Sequence, residues 1–389
     1  MNQSNFRVAF CGTRGLPANY GGFETALDEI TKRFVKNGIH CEVFCRGDKD
    51  QKINKETYEG RELVYIKGSK HRKLDTFVSS IHTGLYLIKH RKEYDFIFWF
   101  NNANFPGILL TLLTGVRMAI NTDGLEWRRA KWSLPFKAYY FLSSFFICLL
   151  CRTLISDSVS IQNYYKKTFK KKTQFIPYGA SENKEYGSEM KKEILGKYGL
   201  EEGKYFLQIT RFEPDNLPLE IIKQFQNSLL GDLGYQYVLI GLKDETEYAL
   251  KIKAESGRRG IKVFPANYNP TELTVLRNCA YCYVHGNSVG GTNPALLEAM
   301  QSTKRILAID CPFSEEVLGA QGRRFTIENL SQVFIESLHL EDQSLAMKHR
   351  IKLHYQWDKV ADSYKNITQQ KSADYVMLTT THEGVKVTS

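Results

Sequence analysis

Two glycine-rich stretches stand where a chain could receive an anion. "GTRGLPANYGGFET" (Gly12–Thr25) sets Gly21 and Gly22 directly before a run of helical spacing. "HGNSVGGTNPALLEAM" (His285–Met300) sets Gly290 and Gly291 just ahead of Asn293 and Pro294, which open a second helix. The first turn of a helix carries unpaired N–H groups and partial positive charge, so it receives phosphate without a dedicated side chain. Glycine there lets a ligand approach the backbone. Either junction alone says little, but two in matching halves of the chain suggest a ligand held in a cleft between them.

Other site patterns fail on context. Neither junction fits G-x-G-x-x-G with an acidic residue at the usual distance, and G-x-x-x-x-G-K-[ST] is absent, which argues against a nicotinamide cofactor and a P-loop. Two cysteine pairs have C-x-x-C spacing, Cys148 with Cys151 and Cys279 with Cys282, yet both lie in apolar runs ("FFICLLC", "CAYCYV"). Zinc knuckles need polar turns, so these read as reduced core thiols.

The elements that must position the junctions are strands alternating with helices. "FRVAFCG" reads as a buried strand and Glu24–Lys36 as a helix with apolar positions Ala26, Leu27, Ile30 and Phe34. Strands "HCEVFC", "ELVYI", "DFIFWF", "RMAIN" and "TLIS" follow, with a helix over 75–90. After "FIPYGA" the alternation restarts with "YFLQIT", "YQYVLIG", "IKVFPA", "CAYCYVHG" and "RILAID". This pattern implies an α/β chain of two doubly wound, parallel-sheet domains joined near residue 180, which suits its 389 residues. The residues beyond about 370 lose periodicity and read as a tail.

The hydrophobic share of 42% and charged share of 24% are those of a globular protein. The net charge of +11 is one-sided: residues 1–180 hold 28 Lys and Arg against 15 Asp and Glu, an excess of +13, and the rest of the chain is at −2. Such asymmetry points to an anionic surface as partner of the first half. The apolar stretch "KAYYFLSSFFICLLC" (Lys137–Cys151) is too short to span a bilayer as a helix. It lies between basic and aromatic flanks, "RRAKW" and "YYKKTFKKK". It reads equally as a helix lying on an anionic membrane or as a core helix. A nucleic-acid partner would need a recognisable module or an exposed basic and aromatic sheet face, and none is found. The opening "MNQSNFRVAF" shows no signal-peptide pattern, and thiols set in apolar runs fit the reduced cysteines of a cytoplasmic protein.

Several of these residues resemble a known family. "RFEP" (Arg211–Pro214) after a strand and "GGTNPALLEAM" (Gly290–Met300) look like the retaining glycosyltransferases of family 4, with the GT-B fold. The opening stretch and "NTDGLEWRRAKW" (Asn121–Trp132) resemble a bacterial subgroup that includes rhamnosyltransferases of capsule, O-antigen and cell-wall polysaccharide assembly. "YQWDKVADSYKNI" (Tyr355–Ile367) is similar to the family's closing helix, which crosses back onto the first domain. The resemblance implies a first domain over 1–178 plus the crossing helix 355–369, and a nucleotide-sugar domain over 179–354. It also implies the reaction: transfer of a sugar, L-rhamnose from dTDP-rhamnose, with retention onto a lipid-linked saccharide. The enzyme would be peripheral on the cytoplasmic face of a bacterial plasma membrane.

The resemblance also implies roles. Arg211 would counter the diphosphate in bidentate fashion, with the Gly291 and Thr292 amides and Asn293 on phosphate or sugar and Glu298 on the ribose hydroxyls. Gly21 and Gly22 would line the reacting centre, and Arg128, Arg129, Lys131 and Trp132 would serve acceptor or membrane. Three departures stand out. The family's first loop glutamate falls on Gly290, its diphosphate lysine on Asn216, and its first-domain histidine on Asp123. Asp123 would take or position the acceptor hydroxyl's proton, with Glu126 as the other carboxylate. A 6-deoxy sugar is compatible with a lost acidic contact. "DKD" (Asp48–Asp50) has the form of a metal-binding D-x-D but lies in a polar loop, so neither metal nor cofactor is expected. The alternatives are a family 4 transferase using a UDP-sugar, or a two-domain sugar- or nucleic-acid-binding protein without catalysis.

Overall fold

The computed structural model describes residues 6–18, 22–71, 74–122, 124–129, 132–241 and 246–370. The first sheet is built from β1 (Arg7–Cys11), β2 (His40–Arg46), β3 (Asn54–Tyr58), β4 (Arg61–Ile66), β5 (Phe96–Phe100), β6 (Met118–Asn121), β7 (Thr153–Ser156) and β8 (Gln174–Phe175), in the order β3-β4-β2-β1-β5-β6-β7-β8. Only β3 runs antiparallel to its neighbour. Helices α1 (Gly22–Lys36), α2 (Asp75–Lys89), α3 (Phe105–Leu112), α4 (Leu134–Leu150) and α5 (Val159–Phe169) cover it. All five residues of β5, FIFWF, are buried, as expected of a strand covered on both faces.

The second sheet is wholly parallel: β9 (Tyr205–Ile209), β10 (Gln236–Ile240), β11 (Ile261–Phe264), β12 (Cys282–His285), β13 (Ile306–Ile309) and β14 (Arg323–Phe325), in the order β11-β10-β9-β12-β13-β14. Around it lie α6 (Ser188–Tyr198), α7 (Pro218–Asn227), α8 (Glu247–Lys253), α9 (Pro270–Cys279), α10 (Pro294–Ser302), α11 (Pro312–Leu318), α12 (Leu330–Glu336) and α13 (Ser344–His354). A last helix, α14 (Trp357–Gln369), leaves this domain and packs on the first. Its Tyr364 hydroxyl accepts from Asn121 Nδ2 at 2.8 Å, and Arg117 donates to the Thr368 and Gln370 carbonyls at 2.9 and 2.8 Å. At the crossing, a Cβ on Gly179 would overlap the Trp357 indole.

In each sheet the strand order reverses at one place, between β1 and β5 in the first and between β9 and β12 in the second. Ligands of such sheets bind outside the carboxyl ends of the strands at that reversal. The segments after β1 and β12 are the two glycine-rich stretches. The cysteine pairs are buried in the cores, where desolvation pushes the Cys148 and Cys151 thiols up to about 12 and 11. The "DKD" loop is a turn in which the Asp48 carbonyl accepts from the Gln51 and Gly68 amides. Among the described residues no three His, Cys, Asp or Glu side chains group as metal ligands, and no helix is long and apolar enough to cross a membrane.

Candidate active site in the interdomain cleft

The two glycine-rich junctions meet. Gly22 opens α1 and lies against the start of α10, so that a Cβ on it would stand 3.1 Å from Pro294 Cγ. Gly124, after β6, faces Gly290: a Cβ there would be 3.5 Å from the Gly290 Cα. Gly290 itself has φ +149°, a conformation that side-chain-bearing residues rarely adopt, and a Cβ on it would stand 3.8 Å from Arg129 Nη2. Gly291 is packed on Asp157, at the end of β7, so closely that a Cβ would overlap both carboxylate oxygens. The Thr292 hydroxyl donates to the Asp157 carbonyl. Asn293 caps α10, its Oδ1 accepting from the Ala295 amide at 2.9 Å. Beside this loop is a small recess lined by His285, Asn287, Gly290, Gly291, Asn293 and Phe313.

Arg211 follows β9 with its side chain 41% exposed, 3.9 Å from Glu213 Oε1. Asn216 differs from its expected place on the diphosphate. It is buried, its amide donates to the Arg211 carbonyl at 2.9 Å, and its own carbonyl accepts from Gln208 Nε2 at 3.1 Å. A short neutral amide thus braces the Arg211 loop, where a lysine would reach outward. Glu298, on α10, is paired with Arg277 from α9, a guanidinium almost wholly buried. Arg277 had no sequence signal, because "TVLRNCAYCYV" reads as plain alternation around it. Nor does the sequence single out His285, which ends β12. Burial holds its imidazole neutral, with the pKa pushed down to about 3.

Asp123, Gly21 and Lys131 lie outside the described residues. Glu126 is described, and its surroundings differ from those of a proton acceptor. One carboxylate oxygen is 2.5 Å from Arg129 Nε and the other accepts from the Trp132 indole N–H at 2.7 Å, with the side chain 8% exposed. Glu126 therefore clamps its own loop. Arg129 and Trp132 both contact that carboxylate, and Arg129 also lies beside Gly290 at the cleft. Arg128 is exposed, with its guanidinium 4.9 Å from the Tyr164 ring centre. One further buried carboxylate, Glu24 on α1, accepts from the Arg14 amide at 3.0 Å and holds the opening loop to its helix.

A domain of unknown function, DUF1972, matches residues 6–181. No curated protein matches the chain by sequence. Solved structures match over nearly the whole chain. A sucrose-phosphate synthase from Thermosynechococcus elongatus superposes with TM-score 0.75 at 13% identity, covering 94% of this chain and 98% of its own. A glycosyltransferase from Rickettsia africae gives 0.68 at 13%, with 94% and 98% covered. The trehalose-6-phosphate protein of E. coli, bound with UDP-2-fluoro glucose, gives 0.67 at 10%, with 94% and 99% covered. These neighbours are GT-B glycosyltransferases, and this chain has their α/β fold, two parallel-sheet domains facing across a cleft.

Proposed function

We propose that the protein is a glycosyltransferase that carries a sugar from a nucleotide diphosphate on the second domain to a hydroxyl held on the first. The observation that carries this reading is the meeting of the two switch-point segments, Gly22 at Pro294, with Gly124 of the loop after β6 facing Gly290, at the N-termini of α1 and α10. The bond between the sugar's anomeric carbon and the diphosphate oxygen breaks, and its electron pair leaves on the diphosphate. The Gly291 and Thr292 amides, the α10 dipole and Arg211 receive that charge in place, without reorganisation. The acceptor oxygen bonds to the same face, giving retention, and its proton passes to a carboxylate, for which Asp123 is the candidate, or to the leaving phosphate oxygen. This scheme calls on no metal or cofactor.

The donor is assigned as dTDP-rhamnose and the acceptor as a lipid-linked saccharide of cell-surface polysaccharide assembly. A membrane-linked acceptor is supported by α4, which buries Tyr140, Ser143, Ser144, Ile147 and Cys148 while exposing Leu142, Phe145 and Leu149. Large apolar side chains outward and small hydroxyls inward suit a helix resting in a lipid interface. Next to it α3, joined by the stacking of Phe105 on Phe146, exposes Leu109, and Leu113 just after its end is exposed too. The α5 end, joined through Phe141 and Phe169, exposes Lys166, Lys167 and Lys170 toward anionic headgroups. The enzyme then works at the cytoplasmic face of the membrane.

The test is a nucleotide-sugar panel read by thermal shift, followed by transfer to a polyprenyl-linked acceptor. dTDP-rhamnose should raise the melting temperature most. Arg211→Ala should lose about tenfold or more in dTDP affinity, the worth of a charge-assisted contact to phosphate. Unchanged dTDP affinity in that variant would remove Arg211 from the site, and stabilisation by a UDP-sugar alone would reassign the donor.

A further inference from the structure

We propose that His285 is a specificity-determining residue of the donor site, its imidazole hydrogen-bonding a hydroxyl of the transferred sugar in the recess beside α10. The inference rests on the glycosyltransferase reading and names a sugar contact within it.

A neutral imidazole carries one N–H donor and one lone pair, and burying either without a partner costs free energy. His285 is 3% exposed, yet among the described residues it makes no hydrogen bond or ion pair. The Tyr283 ring centre lies 6.5 Å from that of the imidazole, with the planes 24° apart, a contact that satisfies neither nitrogen. Desolvation holds the imidazole neutral, so it offers one donor and one acceptor instead of two donors. The ring lines the recess together with the polar Asn287, Asn293 and Ser314 and the apolar Phe313 and Val317. Such a mixed wall suits a sugar, which has hydroxyl edges and apolar C–H faces, whereas an anion would lose hydration against the apolar side.

The strand end that carries the imidazole is fixed. His285 stands in register with Ala308 of β13, and the next residue, Gly286, is packed so closely that a Cβ on it would overlap the Asn216 carbonyl. The residues lining the recess all belong to the second domain, the donor side, and Gly290 and Gly291 are among them. The recess therefore adjoins the amides that would hold the diphosphate, where Gly124 of the first domain approaches Gly290. A group that reaches it from the diphosphate is the sugar. A sugar hydroxyl, donor and acceptor at once, matches what the neutral ring presents.

Full-length wild type, His285→Phe and His285→Gln would be titrated calorimetrically with dTDP-rhamnose, UDP-glucose, GDP-mannose and ADP-glucose, and with each nucleoside diphosphate alone. For the donor that wild type binds, the Phe variant keeps a ring and loses both nitrogens. It should weaken the nucleotide-sugar by about tenfold or more and change the free diphosphate by less than about twofold. The Gln variant, and His285→Asn beside it, place an amide near one ring nitrogen or the other, and at least one of them should bind the sugar several-fold better than the Phe variant. Imidazole nitrogen resonances of isotope-labelled wild type, assigned by their absence from the Gln variant, give a readout that does not depend on the folding of the Phe variant. They should move with the nucleotide-sugar and stay in place with the diphosphate. Equal losses for sugar and diphosphate in the Phe variant, or resonances that the sugar leaves unmoved, would overturn the proposal by giving His285 a structural role. Binding of no nucleotide by wild type would overturn the glycosyltransferase reading itself, an outcome distinct from those two.

Discussion

Burial gives His285 a different chemistry from that of an exposed imidazole. It ends β12 at the recess, and desolvation alone pushes its pKa down to about 3, so it meets a ligand as a neutral ring. The sign of the pH effect follows. The unfolded chain's imidazole titrates near 6.5, so below that pH the unfolded state binds the proton and the folded state does not. The stability His285 leaves intact above about pH 6.5 is lost as pH falls toward 3. His285→Gln should therefore be the less acid-sensitive protein. Its unfolding free energy, measured by urea titration at pH 7.5 and pH 5, should drop by about 2 kcal/mol less than that of wild type. Equal drops would mean that the ring is charged or solvated. None of this was legible in "CAYCYVHG", because burial at a strand's end depends on what the following loop covers. The same holds for Glu298 with Arg277 and for Asn216. The sequence marked their neighbourhoods through Gly290, Gly291 and Arg211, whereas their partners come from other elements.

At the scale of elements the pattern of apolar positions was enough for most of the fold, and two exceptions have physical causes. The strand β3, NKETY, is polar and mostly exposed, so no apolar run announced it; it is fixed by a tight turn in which Glu59 and Gly60 both have positive φ. Helix α3, FPGILLTL, is short and apolar nearly all round, so it shows no one-sided helical spacing. For α4 the sequence left two readings, membrane surface or core, and the direction of the side chains decides which face is which. Serines 143 and 144 point in, Ser144 accepting from Asn102 Nδ2 at 2.8 Å, while the leucines point out. Replacing Leu142 and Leu149 together by Glu should accordingly leave the melting temperature nearly unchanged, since both are exposed. Co-sedimentation with phosphatidylglycerol vesicles should weaken by about tenfold or more, the order expected for withdrawing two large apolar groups from an interface. Undiminished vesicle binding would place the contact on another face.

Across the whole molecule the two sheets and the crossing helix could be anticipated from alternation and from the closing "YQWDKVADSYKNI", but the latch between the domains could not. It consists of Glu316 on α11, whose carboxylate receives the Val159 amide of α5, and whose backbone carbonyl accepts from Arg350 Nη2 at 2.7 Å. Burial raises the Glu316 pKa above its ordinary 4.5, opposed by the Val159 and Ser160 amides and by Arg350. The folded, closed form therefore takes up the proton more readily than the open or unfolded one. Its stabilising contribution is full below about pH 4.5 and is lost as pH rises through the raised value. Glu316→Gln keeps an oxygen for the α5 amides and carries no charge to desolvate, so it should gain on wild type as pH rises from 4.5 to 7.5. Glu316→Ala leaves those amides without an acceptor and should cost about 1–3 kcal/mol at pH 4.5 and less at pH 7.5, with a larger radius of gyration in solution scattering as the cleft relaxes. A Gln variant whose stability tracks wild type at every pH would show that the carboxylate is solvated and that other contacts, among them the packing of Gly179 on Trp357 and of Tyr364 on Phe98, hold the domains together.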